Sequence, residues 1–313
     1  MATVLVATAG GHLAQLFELA SRLPFDTDHR VWVTSASPQS RSLLAGEDVV
    51  FVPEVRPRDL KAVLREIPRA RRLLLRRRAE AVVSTGAALA LGYLLPSVPM
   101  GIPAHYVESS ARVEEPSLTG RILERVPRIH LYRQYEHAAR GRWRYAGTVF
   151  AGFSAVPRCD PPTIRRAVVV LGTVDEPFRR LVERLVRILP ADAEVLWQTG
   201  TTPVDDLPIK PVPFLPDAEL KAAMAAADVV VTHGGCGSVL DALAAGRSPV
   251  VVPRRLAHRE CVDDHQRQLA EWVDARGLAV LADADELTWF QLVAAAGRSV
   301  VRIADPPVLS LVR

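Results

Sequence analysis

Asp228-Val229-Val230-Val231-Thr232-His233-Gly234-Gly235-Cys236-Gly237-Ser238 is the stretch whose reading decides the fold. After Asp228, Val229–Thr232 is a β-branched run with no polar alternation inside it. Such a run reads as a strand of a parallel sheet that is covered on both faces. Gly234, Gly235 and Gly237 then make a turn, and Val239-Leu240-Asp241-Ala242-Leu243-Ala244-Ala245-Gly246 continues as a helix. Glycines let backbone approach a ligand closely, and a helix N-terminus offers free N–H groups and a positive dipole end. The N–H groups and the Ser238 hydroxyl could therefore cradle a diphosphate, and Asp241, one turn in, could reach a ribose. No Gly-Lys-Ser/Thr follows, so this is not a Walker A loop. The plain alternative is a tight strand-to-helix turn that holds no ligand.

The same grammar repeats outward. In the first half the patterning predicts strands at Thr3–Thr8, Arg30–Thr34, Val49–Val52, Ala81–Ser84, Ala104–Val107 and Arg128–Leu131, with helices over 12–22, 57–78, 87–95 and 117–125. In the second it predicts strands at Ala167–Leu171, Glu194–Gln198, Asp228–Thr232, Pro249–Val252 and Ala279–Leu281, with helices over 176–189, 217–226, 237–245, 262–275 and 286–297. Apolar strands alternating with helices give an α/β fold, here two Rossmann-like domains with parallel sheets and an interdomain cleft at the carboxyl ends of the strands. Pro157, Pro161 and Pro162 cluster in Gly152–Pro162, which sets the expected domains at 1–155 and 156–313.

Composition agrees. A length of 313 residues suits two domains, and 49% hydrophobic with 24% charged residues excludes wholesale disorder. Three scattered cysteines (Cys159, Cys236, Cys261) exclude a disulfide framework and fit a reducing cytoplasm. The opening Met1–Thr8 reads as a buried strand, not a signal peptide. The uncharged stretch between Glu80 and Glu108 is long enough to span a bilayer. However, Gly86, Gly92, Pro96, Pro99, Gly101 and Pro103 break it into a strand, a short helix and a strand. Net charge is +4 overall, but residues 1–156 carry +7 and residues 157–313 carry −3. The basic half is thus the one expected to meet something anionic. Its densest run, Arg65 to Arg78, reads as a basic amphipathic helix, either a solvated face or an element that lies on an anionic membrane surface. It holds no aromatic residue and no nucleic-acid motif accompanies it, so nucleic acid is not expected as a partner.

Thr8-Ala9-Gly10-Gly11-His12 forms a second glycine turn. It lacks the G-x-G-x-x-G spacing of a dinucleotide site, and Thr34-Ser35 stands where an acid would hold the ribose. His12 is placed for general acid–base work in the cleft, or else caps the helix. At the start of another helix, Asp263-Asp264-His265-Gln266 supplies either a cap or polar groups for sugar hydroxyls. His265 and Gln266 are adjacent and project differently, so at most one of them reaches the sugar. The pairs Asp26-Thr27-Asp28 and Asp283-Ala284-Asp285 read as solvated turns or caps, so no metal site and no cofactor are expected.

These runs resemble a family. The second half is similar to the donor-sugar domain of MurG-type inverting glycosyltransferases of the GT-B fold. The match runs from Asp228 through Ser238 and Ala244-Ala245-Gly246, then Pro249–Pro253, Asp264-His265-Gln266 and Leu269-Ala270. It resembles most the PssE-like proteins and the catalytic subunit of the two-subunit transferase that adds the second N-acetylglucosamine to dolichol diphosphate. The first half resembles the PssD-like partner through Gly10-Gly11-His12, Ser84-Thr85-Gly86, Tyr106–Val113 and Ser117–Arg121. The resemblance implies a natural fusion, acceptor half first. It implies transfer of a sugar from a UDP-sugar to a polyprenyl-diphosphate-linked acceptor, from the cytoplasmic side of the inner membrane face. By that likeness Gly234, Gly235, Gly237 and Ser238 hold the UDP diphosphate, Asp241 the ribose, and His265 or Gln266 the donor sugar, with His233 and Asp264 also among the donor-binding residues. Gly172-Thr173 and Gln198-Thr199-Gly200 line the same site, and Phe214-Leu215 flank the uracil. Gly10, Gly11, Thr85, Gly86, Ser109 and Arg112 face the acceptor; the other expectation for Arg112 is an ion pair with Glu114 or Glu115. His12 and Glu108 are the candidate bases. The sequence departs from the partner pattern at Leu131-Tyr132-Arg133-Gln134-Tyr135-Glu136, where a Gln-Trp-Pro ending is usual, and it shows no N-terminal membrane helix, so anchoring is expected to be peripheral. Competing readings are a UDP-sugar 2-epimerase-like enzyme, which needs no acceptor, and a non-catalytic UDP-sugar-binding protein.

Overall fold

The computed structural model describes residues 2–25, 29–56, 58–159, 163–172, 176–261 and 264–312. The chain divides into two compact units, Met1–Ala151 with Asp305–Arg313, and Gly152–Ala304.

In chain order the first unit comprises β1 (Ala2–Ala7), α1 (Gly11–Ala20), β2 (Arg30–Ser35), α2 (Pro38–Leu43), β3 (Val49–Val52), α3 (Leu60–Arg76), β4 (Ala79–Gly86), α4 (Leu89–Ser97), β5 (Ala104–Val107), α5 (Leu118–Glu124), β6 (Ile129–Arg133) and β7 (Trp143–Tyr145). Its seven strands form one sheet of order β3-β2-β1-β4-β5-β6-β7, and every pairing is parallel. The strands β1 and, from Ala81 onward, β4 are buried along their length, as their unbroken apolar runs require.

The second unit comprises β8 (Phe153–Pro157), β9 (Arg166–Val170), α6 (Arg179–Ile188), β10 (Glu194–Gln198), β11 (Pro211–Val212), α7 (Asp217–Ala226), β12 (Val229–His233), α8 (Cys236–Ala244), β13 (Val250–Val252), α9 (His265–Asp274), β14 (Val280–Leu281), α10 (Trp289–Ala296) and β15 (Arg298–Arg302). Six strands make a parallel sheet of order β11-β10-β9-β12-β13-β14. The antiparallel pair β15-β8 lies outside it.

Each parallel sheet has one place where the strand order reverses. In the first it lies between β1 and β4, in the second between β9 and β12. Loops leaving the carboxyl ends of two such strands diverge to opposite faces and open a crevice between them, which is where open α/β sheets bind ligands.

Several elements differ from the sequence reading. Gly152–Pro162, expected as a linker, begins with β8, which pairs with β15. Neither strand has the apolar run of a central strand, because each is exposed on one side. The strands β7 and β11 are edge strands of three and two residues, too short for periodicity to register. Helix α2 is a six-residue helix capped by Ser37, whose side chain accepts from Ser40 N. The uncharged stretch holds the nine-residue α4, and no helix among the described residues is long and apolar enough to cross a membrane.

The chain end also differs. Residues 305–313, expected with the second domain, belong to the first unit. The Arg22 guanidinium donates to Pro307 O at 2.9 Å, and Leu309 N donates to Arg22 O at 2.8 Å. Further on, Ser310 N reaches Ala146 O at 2.9 Å and Val312 N the Tyr132 hydroxyl at 3.0 Å. Leu309 and Leu311 are buried on that unit. Leu309→Ala is therefore expected to destabilise the first unit by about 2–4 kcal/mol, read as a lowered urea midpoint with an unchanged slope.

Candidate active site

The crevice of the first sheet gathers the turn after β1 and the turn after β4. Gly10 has φ 97°, a conformation open to glycine, and its N–H donates to Gln39 Oε1 of α2 at 2.8 Å. Gly11 then starts α1 with no side-chain cap, so the plain helix-cap reading of His12 fails. The half-buried His12 ring crosses to the β4 turn, where its Nδ1 lies 2.7 Å from Thr85 O. A carbonyl only accepts, so Nδ1 carries the proton and Nε2 keeps its lone pair. The Thr85 hydroxyl answers by donating to His12 O at 2.7 Å. A Cβ on Gly86 would lie 2.9 Å from His12 Cε1, so only glycine leaves room for the ring. Desolvation lowers the His12 pKa below 6.5, opposed by the Thr85 hydrogen bond and the Glu108 charge and aided by the Arg112 charge. The imidazole thus stays neutral, the form a general base requires.

Glu108 is different. It is fully buried, and both its oxygens are committed. Oε1 accepts from the Tyr106 hydroxyl and from Ser109 N, each at 3.0 Å. Oε2 accepts from Ser117 N at 2.8 Å and the Ser117 hydroxyl at 3.0 Å. A carboxylate has about four acceptor positions, and these four bonds use them. Glu108 therefore fixes the start of α5, whereas His12 Nε2 keeps its lone pair.

The Ser109–Glu114 loop is held by groups the sequence reading did not single out. Gln15, buried on α1 among leucines, donates to the Ser109 hydroxyl at 3.0 Å and accepts from Ser110 N at 2.7 Å. Gln134 donates to Glu108 O at 3.0 Å. Arg133, fully buried, directs one Nη2 at the carbonyls of Arg112, Val113 and Glu114, at 2.9–3.0 Å. Both come from the stretch that departs from the partner-subunit pattern. Glu114 pairs with His137 and Glu115 with Arg121, while Arg112 lies half-buried with its charge felt at His12.

The crevice of the second sheet gathers the turn after β9 and the turn after β12. Gly235 caps α8 without any side-chain bond, so the first-turn N–H groups of Gly237 and Ser238 point out of the helix end. Asp241 lies three residues after Ser238 and four after Gly237, on the same helix face. His233 packs where two side chains would otherwise stand: a Cβ on Gly172 would lie 2.4 Å from its Cε1, and one on Gly235 2.2 Å from its Nε2. Burial, with the Arg254 charge adding to it, pushes the His233 pKa down to about 3. It is a neutral spacer under the turn. Gly234 backs onto Gln266, where a Cβ would meet Gln266 Cβ at 2.7 Å. Gln266 itself faces inward and accepts from Arg254 N at 3.1 Å, while His265 is half-buried and Asp264 exposed at the start of α9. Gly200 passes so close to Gly172 O that a Cβ would stand 2.7 Å away. Gln198 is buried and donates to Pro213 O at 3.3 Å, at the base of the segment carrying Leu215 and Phe214, whose ring is 53% exposed. Thr173 lies outside the described residues.

Arg254 was also missed. Buried after β13, it donates to the carbonyls of Leu171 at 2.8 Å, Glu260 at 3.3 Å and Glu176, tying three turns together. The expected solvated turn at Asp283–Asp285 is an ion-pair node instead. Asp283 pairs with Arg180 at 3.4 Å and with Arg255, and Asp285 with Arg180 at 2.7 Å. Asp26–Asp28 lie outside the described residues. Among the described residues, no group of three or more His, Cys, Asp or Glu is arranged to hold a metal ion.

Residues 167–299 match the glycosyltransferase family 28 C-terminal domain. Over 229 residues the chain is 28% identical to the UDP-N-acetylglucosamine--N-acetylmuramyl-(pentapeptide) pyrophosphoryl-undecaprenol N-acetylglucosamine transferase of Solibacter usitatus, covering 68% of this chain and 61% of that one. A stretch of 70 residues is 40% identical to a UDP-N-acetylglucosamine transferase subunit of Yarrowia lipolytica, covering 22% of this chain and 34% of that one. The chain thus spans at most about six-tenths of the length of these relatives. The solved structure of Acinetobacter baumannii MurG is similar with a TM-score of 0.58 at 20% identity, covering 92% of this chain and 87% of that one. The chain is related to MurG-type glycosyltransferases, with the α/β architecture and parallel sheets of their GT-B fold.

Acid stability follows from the buried rings. Between pH 6.5 and about 3 the unfolded chain holds a proton on His233 that the folded chain does not. The contribution of His233 to folding free energy is full above 6.5 and is lost as pH falls toward about 3; His105, also held at about 3, acts in the same direction. His233→Gln should flatten part of this dependence in urea melts run at pH 7, 6 and 5.

Proposed function

We propose that this chain transfers a sugar from a UDP-sugar to a polyprenyl-diphosphate-linked glycan acceptor in cell-surface polysaccharide assembly. Transfer occurs with inversion and without a metal ion. Residues 1–155 take the acceptor and residues 156–313 the donor. The observation that carries the reading is the His12–Thr85 hydrogen bond, which leaves Nε2 as a neutral proton acceptor at the strand-order reversal of the acceptor half.

In this reading the acceptor hydroxyl gives its proton to His12 Nε2 as its oxygen attacks the anomeric carbon. The bond from that carbon to the UDP oxygen breaks on the opposite face. The charge left on the diphosphate is met by the N–H groups of Gly237 and Ser238 at the positive end of α8. Gly234 and Gly235 allow the phosphates to approach the backbone. Asp241 binds the ribose, Phe214 and Leu215 flank the base, and His265 serves the sugar hydroxyls. Arg112 faces the acceptor diphosphate, with Ser109 and the Gly10-Gly11 and Thr85-Gly86 turns beside it.

Membrane contact belongs to α3, at the inner face of the plasma membrane. Its exposed side carries Lys61, Arg65, Arg69, Arg72 and Arg76 next to Leu64 and Leu75, which are 65% and 68% exposed. Cations beside exposed leucines suit the interface of an anionic leaflet.

Incubation with a UDP-sugar panel and a polyprenyl-diphosphate glycan should release UDP and extend the glycan only when both are present. Sugar isomerisation without acceptor, or binding without turnover, would overturn the proposal. His12→Ala should lower kcat/KM by about 10²–10⁴-fold, and in the parent protein the acid limb of kcat/KM should lie below pH 6.5. Separately, Arg72→Glu with Arg76→Glu should abolish sedimentation with phosphatidylserine vesicles at low salt while leaving UDP binding unchanged.

A further inference from the structure

Lysine is rare in this chain, with three residues against 36 arginines, and one of the three touches the candidate ribose acid. Lys221, on α7, places Nζ 2.8 Å from Asp217 Oδ2 and 3.6 Å from Asp241 Oδ1. Asp217 opens α7, Lys221 lies four residues on, and Asp241 comes from the facing side of α8. The two carboxylates are largely buried, with side chains 10% and 15% exposed, and the lysine side chain between them is 33% exposed. Desolvation works against the Lys221 charge, but the two acids outweigh it and its pKa is raised, so the ammonium persists.

From these contacts we infer that Lys221 is a positioning residue that sets the rotamer of Asp241 and makes the donor site selective for a ribonucleoside over a 2′-deoxyribonucleoside diphosphate. The inference rests on the proposed UDP-sugar site. A diphosphate at Gly237 and Ser238 puts the sugar of its nucleoside about one helical turn, ~5–6 Å, along the same face, which is the level of Asp241. A carboxylate accepts about four hydrogen bonds. Clamping Oδ1 by an ammonium that is itself fixed by Asp217 leaves acceptor capacity in a set direction, and a diol with two donors uses it best. Losing the ammonium removes a contact that holds this direction, and side-chain entropy is then lost on binding. A ligand without the 2′-hydroxyl leaves part of the buried carboxylate unanswered, which is where discrimination arises.

The test is calorimetric binding of UDP and of 2′-deoxyuridine diphosphate to the full chain, with no acceptor present. The parent protein should prefer UDP by about tenfold, the worth of one hydrogen bond to a charged group. Lys221→Met should bring the two affinities to within about twofold, chiefly by weakening UDP. Lys221→Arg should restore most of the preference. Asp217→Asn, which frees the ammonium without touching Asp241, should shift the ratio in the same direction and guards against a fold defect in the methionine variant; melting curves of each variant report that defect directly. A parent-like ratio in both Lys221→Met and Asp217→Asn overturns the inference while leaving the donor site intact. Absence of UDP binding by the parent protein overturns the donor-site reading itself and this inference with it.

Discussion

The ring of His233 fills the volume into which side chains at positions 172 and 235 would project. Everything at the carboxyl edge of the second sheet follows from that packing. The turn after β9 and the turn after β12 approach the ring from two sides, so neither can carry a Cβ. The cost is a desolvated imidazole, and it is kept small because the ring stays neutral. Gly234 against Gln266 and Gly200 against Gly172 O repeat the same device at neighbouring contacts. Four glycines thus serve close packing, which a side chain at any of these positions would prevent.

The first unit reaches a similar end with a different histidine. His12 also needs a glycine beside it, at position 86, but its ring is only half-buried and hydrogen-bonded through one nitrogen. One ring is a spacer and the other has a nitrogen to offer. The distinction lies in surroundings, not in residue type, since both stand in glycine-rich turns at strand ends. Glu108 makes the same point in reverse: an acid beside a candidate base is here saturated by Tyr106, Ser109 and Ser117 and acts as a fastener for α5.

Much of this was legible in the chain. Apolar runs such as Val229–Val231 and Val4–Val6 are central strands because a buried parallel strand tolerates nothing else, and the glycine turns after β1 and β12 could be read from composition alone. Edge elements were not legible, because β7, β8, β11 and β15 are short or face solvent and carry no periodic signal. The polar scaffold was hidden for another reason. Gln15, Arg133 and Arg254 act through backbone carbonyls and amides far away in sequence, and nothing at their own positions announces those partners. A lone polar residue inside an apolar helix face, as with Gln15 between Ala14 and Leu16, is the one local hint.

The return of residues 305–313 to the first unit means that the chain passes between the units twice, once near Ala151–Gly152 and once near Ala304–Asp305. In topological terms the second unit is an insertion into the first. Joining two separate polypeptides end to end would yield a single crossing. The second crossing assigns the last nine residues to the partner they did not follow in sequence. A single cut at Gly152 would therefore leave the first piece without the backbone that accepts from Arg22 and without the buried Leu309. Recovering it would require the second piece to bind, so the tail makes the two halves mutually dependent even where no chemistry connects them.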